Sequence, residues 1–288
     1  MVAVRPLPLR KIEDAEPSSK ASPFVKWAGG KRRLMSQYEA FLPKSFTGYH
    51  EPFLGGGAFF FHLQPKKAVL SDINYRLIES YEAIRDDLSG VLECLHYHRR
   101  NHSKTHYYRC RELLNKGDLL IKSDRAALMI YLNKTCFNGL YRENLKGDFN
   151  VPIGRYKNPA IYDRANLFSV HEKLQGIDIR HEGFEGVLFR ARPGDLVYFD
   201  PPYVPISETS SFTNYSKDGF GAAKQRQLAE VYKKLAERGC QVMLSNSDCG
   251  FVRELYSDFR IEVVQAARSI NSRAAKRGAI NEVLVMSW

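Results

Sequence analysis

Several features that would assign this chain of 288 residues to other classes of protein are missing. No stretch approaches the roughly 20 apolar residues that a helix needs to cross a bilayer, and the N-terminus lacks the apolar core of a signal peptide. The five cysteines are odd in number and form no C-x-x-C pair, which argues against a disulfide framework and a zinc ribbon. These absences predict a reduced, cytoplasmic protein with no membrane partner.

Signatures of phosphate and metal binding are also missing. The cluster Gly55-Gly56-Gly57 is not G-x-G-x-x-G and no Walker lysine follows it, so pyrophosphate and triphosphate ligands are less favoured. No acid or cysteine partners complete a metal site around the histidines of the basic region, so we expect no metal. These histidines are His96, His98, His102 and His106.

Positive charge is present and unevenly distributed. Residues 96–164 hold 14 lysines and arginines against 6 acids, or +8 of the total +11, which leaves only +3 for the other 219 residues. One basic block on a nearly neutral chain suits a polyanion, because neutralised phosphates release their counterions. The pattern predicts a nucleic-acid partner, with a merely solvated basic surface as the alternative.

Apolar runs of strand length alternate with amphipathic segments, which predicts an α/β fold with a doubly wound, mostly parallel sheet. The final two strands would be antiparallel at one edge. The predicted strands are Gly48–Phe53, Ala68–Asp72, Ile177–Glu182, Asp195–Asp200, Cys240–Asn246, Ile261–Ala267 and Glu282–Trp288. The predicted helices cover roughly residues 30–41, 57–63, 74–98, 123–134 and 219–238.

The alternation breaks at residues 96–164, which coincide with the basic block. We interpret them as an inserted, mainly helical domain between the two parts of a larger domain, residues 23–95 and 165–288. Residues 1–22 are rich in proline, serine and charge and are interpreted as a flexible leader. We expect a monomer.

An acid, two prolines and an aromatic finish one apolar run at Asp200-Pro201-Pro202-Tyr203, although proline cannot donate to a strand ladder. An amino group on a nucleobase is a poor nucleophile because its lone pair is delocalised into the ring. The Asp200 carboxylate and the Pro201 carbonyl could accept its two hydrogens and turn the lone pair toward an electrophile. Tyr203 offers a flat face for an extruded base. The alternative is a strand that leaves its sheet into a proline-stiffened loop.

Three other motifs point to a nucleotide-like cofactor. A strand followed by Gly55-Gly56-Gly57 and a helix start is the unit that binds such cofactors at the carboxyl end of a parallel sheet. Asp72 closes the next strand, where an acid can bind ribose hydroxyls or simply cap a helix. Trp27 and Lys31 could cover an adenosyl group, or they could belong to an ordinary loop.

Together these motifs resemble the Dam-type, α-group DNA adenine methyltransferases of the GATC-specific subfamily. The matching residues are Lys-Trp-Ala-Gly-Gly-Lys at 26–31, Glu-Pro-Phe-x-Gly-Gly-Gly at 51–57, Ser-Asp-Ile-Asn at 71–74 and Asp-Pro-Pro-Tyr at 200–203. The resemblance implies a Rossmann-like methyltransferase fold, S-adenosylmethionine as cofactor and N6-methyladenine in double-stranded DNA as product. It makes residues 96–164 the target-recognition domain and residues 23–95 and 165–288 the catalytic domain.

The same resemblance implies roles for individual residues. The catalytic residues would be Asp200, Pro201, Pro202 and Tyr203. The cofactor-binding residues would be Trp27, Lys31, Phe53, Gly55, Gly57, Asp72, Phe184 and Asp200.

Residues 137–157 resemble the recognition hairpin of the GATC-specific members. Arg142 can read guanine bidentately, and Phe137 would wedge where the adenine leaves, unless it is a core aromatic. Leu140 and Pro152 can press on a thymine methyl, while Arg155 and Lys157 suit phosphates. The DNA-binding residues would be Lys26, Phe137, Asn138, Leu140, Arg142, Asn144, Pro152, Arg155, Tyr156 and Lys157.

Other functions stay open on the sequence alone. The alternatives are an adenine methyltransferase of another site, a cytosine-N4 methyltransferase and a catalytically inactive DNA-binding module. A methyltransferase acting on RNA or on a protein amide would not explain the match at residues 137–157. Residues 207–221 could form a lid over the flipped base. Four basic residues before the last strand could grip phosphates: Arg268, Arg273, Lys276 and Arg277.

Overall fold

The structure is a computed structural model that describes residues 20–31, 34–117, 120–205, 220–267 and 279–288. The leader, the lid and the four basic residues before the last strand fall wholly or mostly outside these ranges. The chain divides into two compact units. The first comprises Met1–Gly30, Gly55–Gln64 and Asn74–His181, and the second comprises Lys31–Leu54, Pro65–Ile73 and Glu182–Trp288.

The strands and α-helices of the described residues are numbered here in chain order. The strands are β1 (Tyr49–Glu51), β2 (Ala68–Asp72), β3 (Asp178–His181), β4 (Leu196–Phe199), β5 (Gln241–Ser247), β6 (Arg260–Ala267) and β7 (Ala279–Met286). The helices are α1 (Met35–Glu39), α2 (Ala58–Leu63), α3 (Tyr75–Asp86), α4 (Leu88–Arg100), α5 (Lys104–Lys116), α6 (Lys122–Thr135), α7 (Arg164–Leu174), α8 (Ala222–Glu237) and α9 (Gly250–Leu255). Within the described ranges, no helix is long and apolar enough to cross a membrane.

The second unit is built on a sheet whose strands follow the order β2-β1-β4-β5-β7-β6. Strand β1 pairs in parallel with β2 and β4, and β4 pairs in parallel with β5. Strand β7 runs antiparallel to both β5 and β6. The predicted α/β class, with a mostly parallel sheet and an antiparallel closing pair, is confirmed. All four residues of β4 are buried, as expected for a strand covered on both faces.

The register of the central strands decides which side chains meet at the end of the sheet. Phe199 on β4 lies beside Leu244 on β5, so Asp200, which follows β4, lies next to Ser245, which is still part of β5. Ser247, at the end of β5, lies opposite Glu282 on β7. Polar groups from three strands therefore collect at one edge.

The first unit is mainly helical and is organised around α6. Eleven of the 14 residues of α6 are buried, and a helix that is buried on nearly every side belongs inside a core. Helices α3, α4 and α5 all pack against it. Residues 96–164 lie within this unit. The unit also contains α2, α3 and the parts of α4 and α7 that lie outside residues 96–164. The domain boundaries themselves stay a prediction.

The prediction of one helix over residues 74–98 is wrong, because the helix breaks at Asp87. Asp87 has φ −145° and ψ 59°, and its side chain accepts from the backbone N–H of Gly90, so it caps α4 instead of continuing α3. Ser103 and Asp163 cap α5 and α7, two helices that the sequence analysis did not predict. In each case a side-chain oxygen satisfies a backbone N–H that the first turn leaves unpaired.

Asp195 fixes the entry to β4 through three contacts. It accepts from Thr47 Oγ1 at 2.7 Å and from the Arg192 backbone N–H at 2.8 Å, and His50 Nε2 lies 3.1 Å from it. Burial by itself would raise the pKa of Asp195, but these hydrogen bonds outweigh burial and lower it. The carboxylate therefore stabilises the fold above the unfolded-state pKa, and this contribution is lost as the pH falls through the lower folded-state value.

We expect Asp195→Asn to lower the free energy of unfolding at pH 7 by about 1–3 kcal/mol, since a charged acceptor is lost from buried donors. The difference from wild type should shrink as the pH falls below about 3.9. Urea unfolding across this pH range measures it. The exposed Asp258→Asn is the control, with an effect within about 0.5 kcal/mol. A difference for Asp195→Asn that does not change with pH would contradict this assignment.

Candidate active site

Asp200 follows β4 directly, and two donors meet at one of its carboxylate oxygens. The Nζ atom of Lys31 lies 2.8 Å from Oδ1, and Ser245 Oγ donates to the same oxygen at 2.9 Å. Lys31 is only 5% exposed, so its charge is poorly solvated and is balanced by the carboxylate. The Asp200 side chain is thereby held in a fixed orientation, and both of these contacts fall on Oδ1.

Ser245 was missed by the sequence analysis, and the parallel register of β4 and β5 explains its place. Because Phe199 pairs beside Leu244, the next residues, Asp200 and Ser245, are neighbours at the same edge. The Tyr198 hydroxyl lies 3.1 Å from Ser245 Oγ and extends the network into the core. The available signal was a buried apolar strand that ends in Ser-Asn-Ser.

The loop after Asp200 is anchored by buried polar side chains. Gln225 Nε2 donates to the Pro202 carbonyl at 2.9 Å, and the Val204 N–H donates to Asn246 Oδ1 at 3.1 Å. Gln225 and Asn246 are fully buried and hydrogen-bond to each other. Among the described residues, none donates to the Pro201 carbonyl. The loop is therefore anchored at the Pro202 carbonyl and the Val204 N–H.

Tyr203 is held at both its hydroxyl and its ring. The hydroxyl donates to Glu282 Oε2 at 2.8 Å, and Lys31 Nζ lies 4.4 Å from the ring centroid, within cation–π range. Burial, and after it the Asp200 carboxylate, raises the pKa of Tyr203 well above its usual value, so the phenol stays neutral. Burial also raises the pKa of Glu282, against the effects of Lys31 and of the Tyr203 hydrogen bond. No motif in the sequence points to Glu282.

Two predicted cofactor residues of the second unit lie in one aromatic cluster. The rings of Phe53 and Phe184 stack with centroids 5.5 Å apart, and Phe199 and Phe220 meet Phe53 edge-on. Phe184 is almost fully buried, whereas Phe53 is half-buried. Asp72 ends β2, as predicted, and its carbonyl accepts from the Glu182 N–H at 3.3 Å.

The glycine motif belongs to the first unit, where Trp27 covers it. Gly55 has φ +48°, and a Cβ atom there would lie 2.8 Å from Trp27 Cδ1, so only glycine fits beneath the indole. Gly57 has φ +66° and is the N-cap residue of α2. The indole also stacks on Tyr141 with ring centroids 5.1 Å apart. A flat aromatic wall beside side-chain-free backbone fits an adenosyl group.

The predicted DNA-binding residues share exposure and position. All ten belong to the first unit and are exposed to solvent. Phe137 is 46% exposed, so the alternative of a core aromatic is wrong, and Leu140 and Tyr156 are 39% and 38% exposed. We call this set the recognition surface. It comprises Lys26, Phe137, Asn138, Leu140, Arg142, Asn144, Pro152, Arg155, Tyr156 and Lys157.

Backbone pairing gives the recognition surface its hairpin form. Antiparallel bridges join Cys136 to Ile153 and Glu143 to Phe149. The Phe137 N–H donates to the Pro152 carbonyl at 2.8 Å. The two strands of the hairpin are therefore held together both near Phe137 and near the Glu143 bridge.

Comparison with known proteins decides the family. The chain matches the D12 class N6 adenine-specific DNA methyltransferase family over residues 27–270. The chain belongs to this family. It is therefore an enzyme that methylates adenine in DNA at specific sites, and its methyl donor is S-adenosylmethionine. The cytosine-N4 alternative and the alternative of an inactive binding module are set aside.

Curated relatives cover nearly the whole methyltransferase. Type II methyltransferase M1.LlaDCHI of Lactococcus lactis subsp. cremoris is 43% identical over 270 residues, covering 92% of this chain and 95% of the relative. Type II methyltransferase M.MjaIII of Methanocaldococcus jannaschii is 43% identical, covering 93% of this chain and 100% of the relative. DNA adenine methylase of Escherichia coli K12 is 37% identical, covering 91% of this chain and 94% of the relative.

Arg142 and Asn144 of the recognition surface differ in what their side chains bind within the protein. The Nε atom of Arg142 donates to Asn150 Oδ1 at 2.7 Å, which orients an exposed guanidinium. The Asn144 carboxamide accepts from the N–H groups of Lys146 and Asp148 at 2.9 and 3.0 Å, so it holds the hairpin turn. The structure thus gives Asn144 a role in the turn, and its contact with DNA stays a prediction.

We expect Phe137→Ala to lower the free energy of unfolding by less than about 1 kcal/mol, because the ring is largely outside the core. Phe149→Ala is the matched control from the same hairpin. Phe149 is 1% exposed, and its truncation should cost about 3–5 kcal/mol. Denaturant unfolding of both variants measures the difference. Equal losses would contradict the exposed placement of Phe137.

Proposed function

We propose that this methyltransferase transfers the methyl group to N6 of adenine in GATC within duplex DNA, and that the adenine leaves the base stack to reach Asp200. The observation that carries the proposal is the Asp200 carboxylate, which Lys31 and Ser245 orient; the carbonyl of the next residue, Pro201, would be the second acceptor. The N6 hydrogens are paired or stacked away inside a duplex, so the base must be extruded before these acceptors can reach them.

The two acceptors would activate the amine without removing its proton first. Lys31 and Ser245 occupy Oδ1 of Asp200, which assigns Oδ2 to one amine hydrogen. The Pro201 carbonyl would accept the other hydrogen. Held from two sides, the nitrogen loses conjugation with the ring and turns its lone pair outward. The acceleration of methyl transfer would come from acceptor groups that are already in position before the base binds.

Tyr203 would supply the stacking face for the extruded adenine. Its hydroxyl is tied to Glu282 and its ring lies against the Lys31 ammonium, so little further ordering is needed when a base arrives. The Pro202 anchor on Gln225 keeps the ring and the two acceptors in one rigid loop. Glu282 therefore acts as a positioning residue for the stacking face.

S-adenosylmethionine supplies an electrophilic methyl group on a sulfonium, which needs no metal for transfer. The residues that we assign to hold it, by the resemblance to the family, are Trp27, Phe53, Gly55, Gly57, Asp72 and Phe184. Trp27 against Gly55 offers the flat wall, and Asp72 at the end of β2 offers an acceptor for ribose hydroxyls. Lys31 and Asp200 complete the proposed set.

The recognition surface would contact the duplex. Support for GATC comes from the resemblance of residues 137–157 to the recognition hairpin of that subfamily. Arg142 is oriented by Asn150 and can read guanine, and exposed Phe137 can enter the gap that the adenine leaves. Lys26, Arg155 and Lys157 would neutralise phosphates. The same proposal includes a monomeric state, a cytoplasmic location and a division of the chain into residues 1–22, residues 23–95 with 165–288, and residues 96–164.

Asp200→Asn tests the acceptor pair. We expect methyl transfer to fall at least about 100-fold, or about 2.7 kcal/mol in barrier, because an amide cannot serve as the same charged acceptor. DNA affinity should stay near wild type, since Asp200 holds the amine and not the duplex. Single-turnover methylation and fluorescence anisotropy with a GATC duplex measure the two effects.

Ser245→Ala serves as a graded variant in the same experiment, because it removes one donor to Asp200 and leaves the carboxylate. Its activity should lie between those of wild type and Asp200→Asn. Retention of more than a tenth of wild-type turnover by Asp200→Asn would remove the main support for the proposed mechanism.

Arg142→Ala and Arg155→Ala separate base reading from phosphate contact. Arg142→Ala should lose about 1–3 kcal/mol of discrimination at one guanine-containing pair. Arg155→Ala should weaken binding to all sequences alike and reduce the salt dependence. Binding titrations with GATC and single-substituted duplexes at several salt concentrations check both. A uniform loss for both variants, with site preference unchanged, counts against these roles.

A further inference from the structure

Three metal-ligating side chains meet in the first unit, on helices α4 and α5. The ligand atoms of His98, His106 and Cys110 all lie within 4.8 Å of one another. His98 belongs to α4, while His106 and Cys110 are four residues apart on α5 and so share one face. The histidine pattern alone gave no cysteine partner, but the turn between the helices brings Cys110 Sγ to 3.6 Å from His98 Nδ1.

The separations of the three atoms match one face of a tetrahedral zinc site. His98 Nδ1 lies 3.0 Å from His106 Nε2, and Cys110 Sγ lies 3.3 Å from His106 Nε2 and 3.6 Å from His98 Nδ1. With Zn–N of about 2.0–2.1 Å and Zn–S of about 2.3 Å, tetrahedral ligands lie about 3.3 Å apart for two nitrogens and about 3.6 Å for nitrogen and sulfur. An ion therefore fits after shifts of only a few tenths of an ångström.

The surroundings of the cluster also suit a metal. His98 and Cys110 are each 1% exposed, and the His98 ring stacks on Tyr131 at 5.0 Å. Nδ1 is the only polar atom of the His98 ring with partners among the described residues, and both partners are potential metal ligands.

We propose that His98, His106 and Cys110 bind one zinc ion, with water in the fourth position on the half-exposed side of His106. Cys110 coordinates as a thiolate, and its proton leaves to solvent. Neutral imidazole and thiolate are the ligand types that zinc prefers in proteins. This site lies outside the residues assigned to methyl transfer and to DNA contact.

The ion would stabilise the support of the recognition surface. It would join α4 to α5, and side chains of α5 hydrogen-bond to the backbone of the hairpin. The Tyr107 hydroxyl donates to the Val151 carbonyl at 2.8 Å, and Asn115 bonds both the N–H and the carbonyl of Phe149. Zinc occupancy would therefore raise the thermal stability of this part of the enzyme.

Cobalt and zinc titration of the full chain, stripped with EDTA, tests the site. Co²⁺ should give a thiolate-to-cobalt charge-transfer band and tetrahedral d–d bands that saturate near one ion per chain, and Zn²⁺ should displace it. Cys110→Ser should lose the charge-transfer band, and His106→Gln should bind at least about tenfold more weakly. The control is Cys249→Ser, a half-buried cysteine outside the cluster, which should behave as wild type.

Two outcomes would overturn the proposal: no charge-transfer band in the wild type, or a band of equal strength in Cys110→Ser. Zinc X-ray absorption of the wild-type protein gives an answer that does not depend on the variants folding. One sulfur and two imidazole nitrogens are expected, and a shell of oxygens only would refute the site. Zinc should also raise the melting temperature of wild type and of Cys249→Ser, but not that of Cys110→Ser.

Discussion

The ion pair between Lys31 and Asp200 is the interaction on which the active site of this methyltransferase depends. A buried ammonium 2.8 Å from the carboxylate orients the Asp200 side chain, and the same ammonium lies against the Tyr203 ring. One cation thus contacts both the acceptor and the stacking face that we propose. A buried charge of this kind is stable only while its partner is present, so the acid and the lysine are constrained together.

The sheet provides the frame for that pair. Parallel pairing of β4 with β5 sets Asp200 beside Ser245, and antiparallel pairing of β5 with β7 brings Glu282 to the same edge. Each polar side chain is fixed by backbone register, so little conformational entropy remains to be lost when substrate binds. The recognition surface is built differently, as an exposed hairpin that helix α5 supports through Tyr107 and Asn115.

The sequence predicted the fold class, the ends of β2 and the exposed nature of the recognition residues, because apolar runs and motif residues are local signals. It could not predict that Glu282 contacts Tyr203, since these residues are 79 positions apart and meet only through strand pairing. Strand β7 also begins at Ala279, three residues before the predicted start, which places Glu282 inside the strand. The sequence also did not predict that Cys110 lies beside His98. The two residues meet because α4 ends at its C-cap residue Asn101 and the chain turns back, and hydrophobic periodicity does not show where a helix ends.

Sequencing of plasmid DNA treated with the purified enzyme and S-adenosylmethionine, by a method that detects N6-methyladenine at single-base resolution, tests the central claim most directly. The account predicts that the methyl group lies on N6 of the adenine in GATC, on both strands, and rarely elsewhere. Methylation at a different sequence would contradict the assigned recognition. Modification of cytosine, or of adenine without site preference, would contradict the account of Asp200 and the recognition surface together.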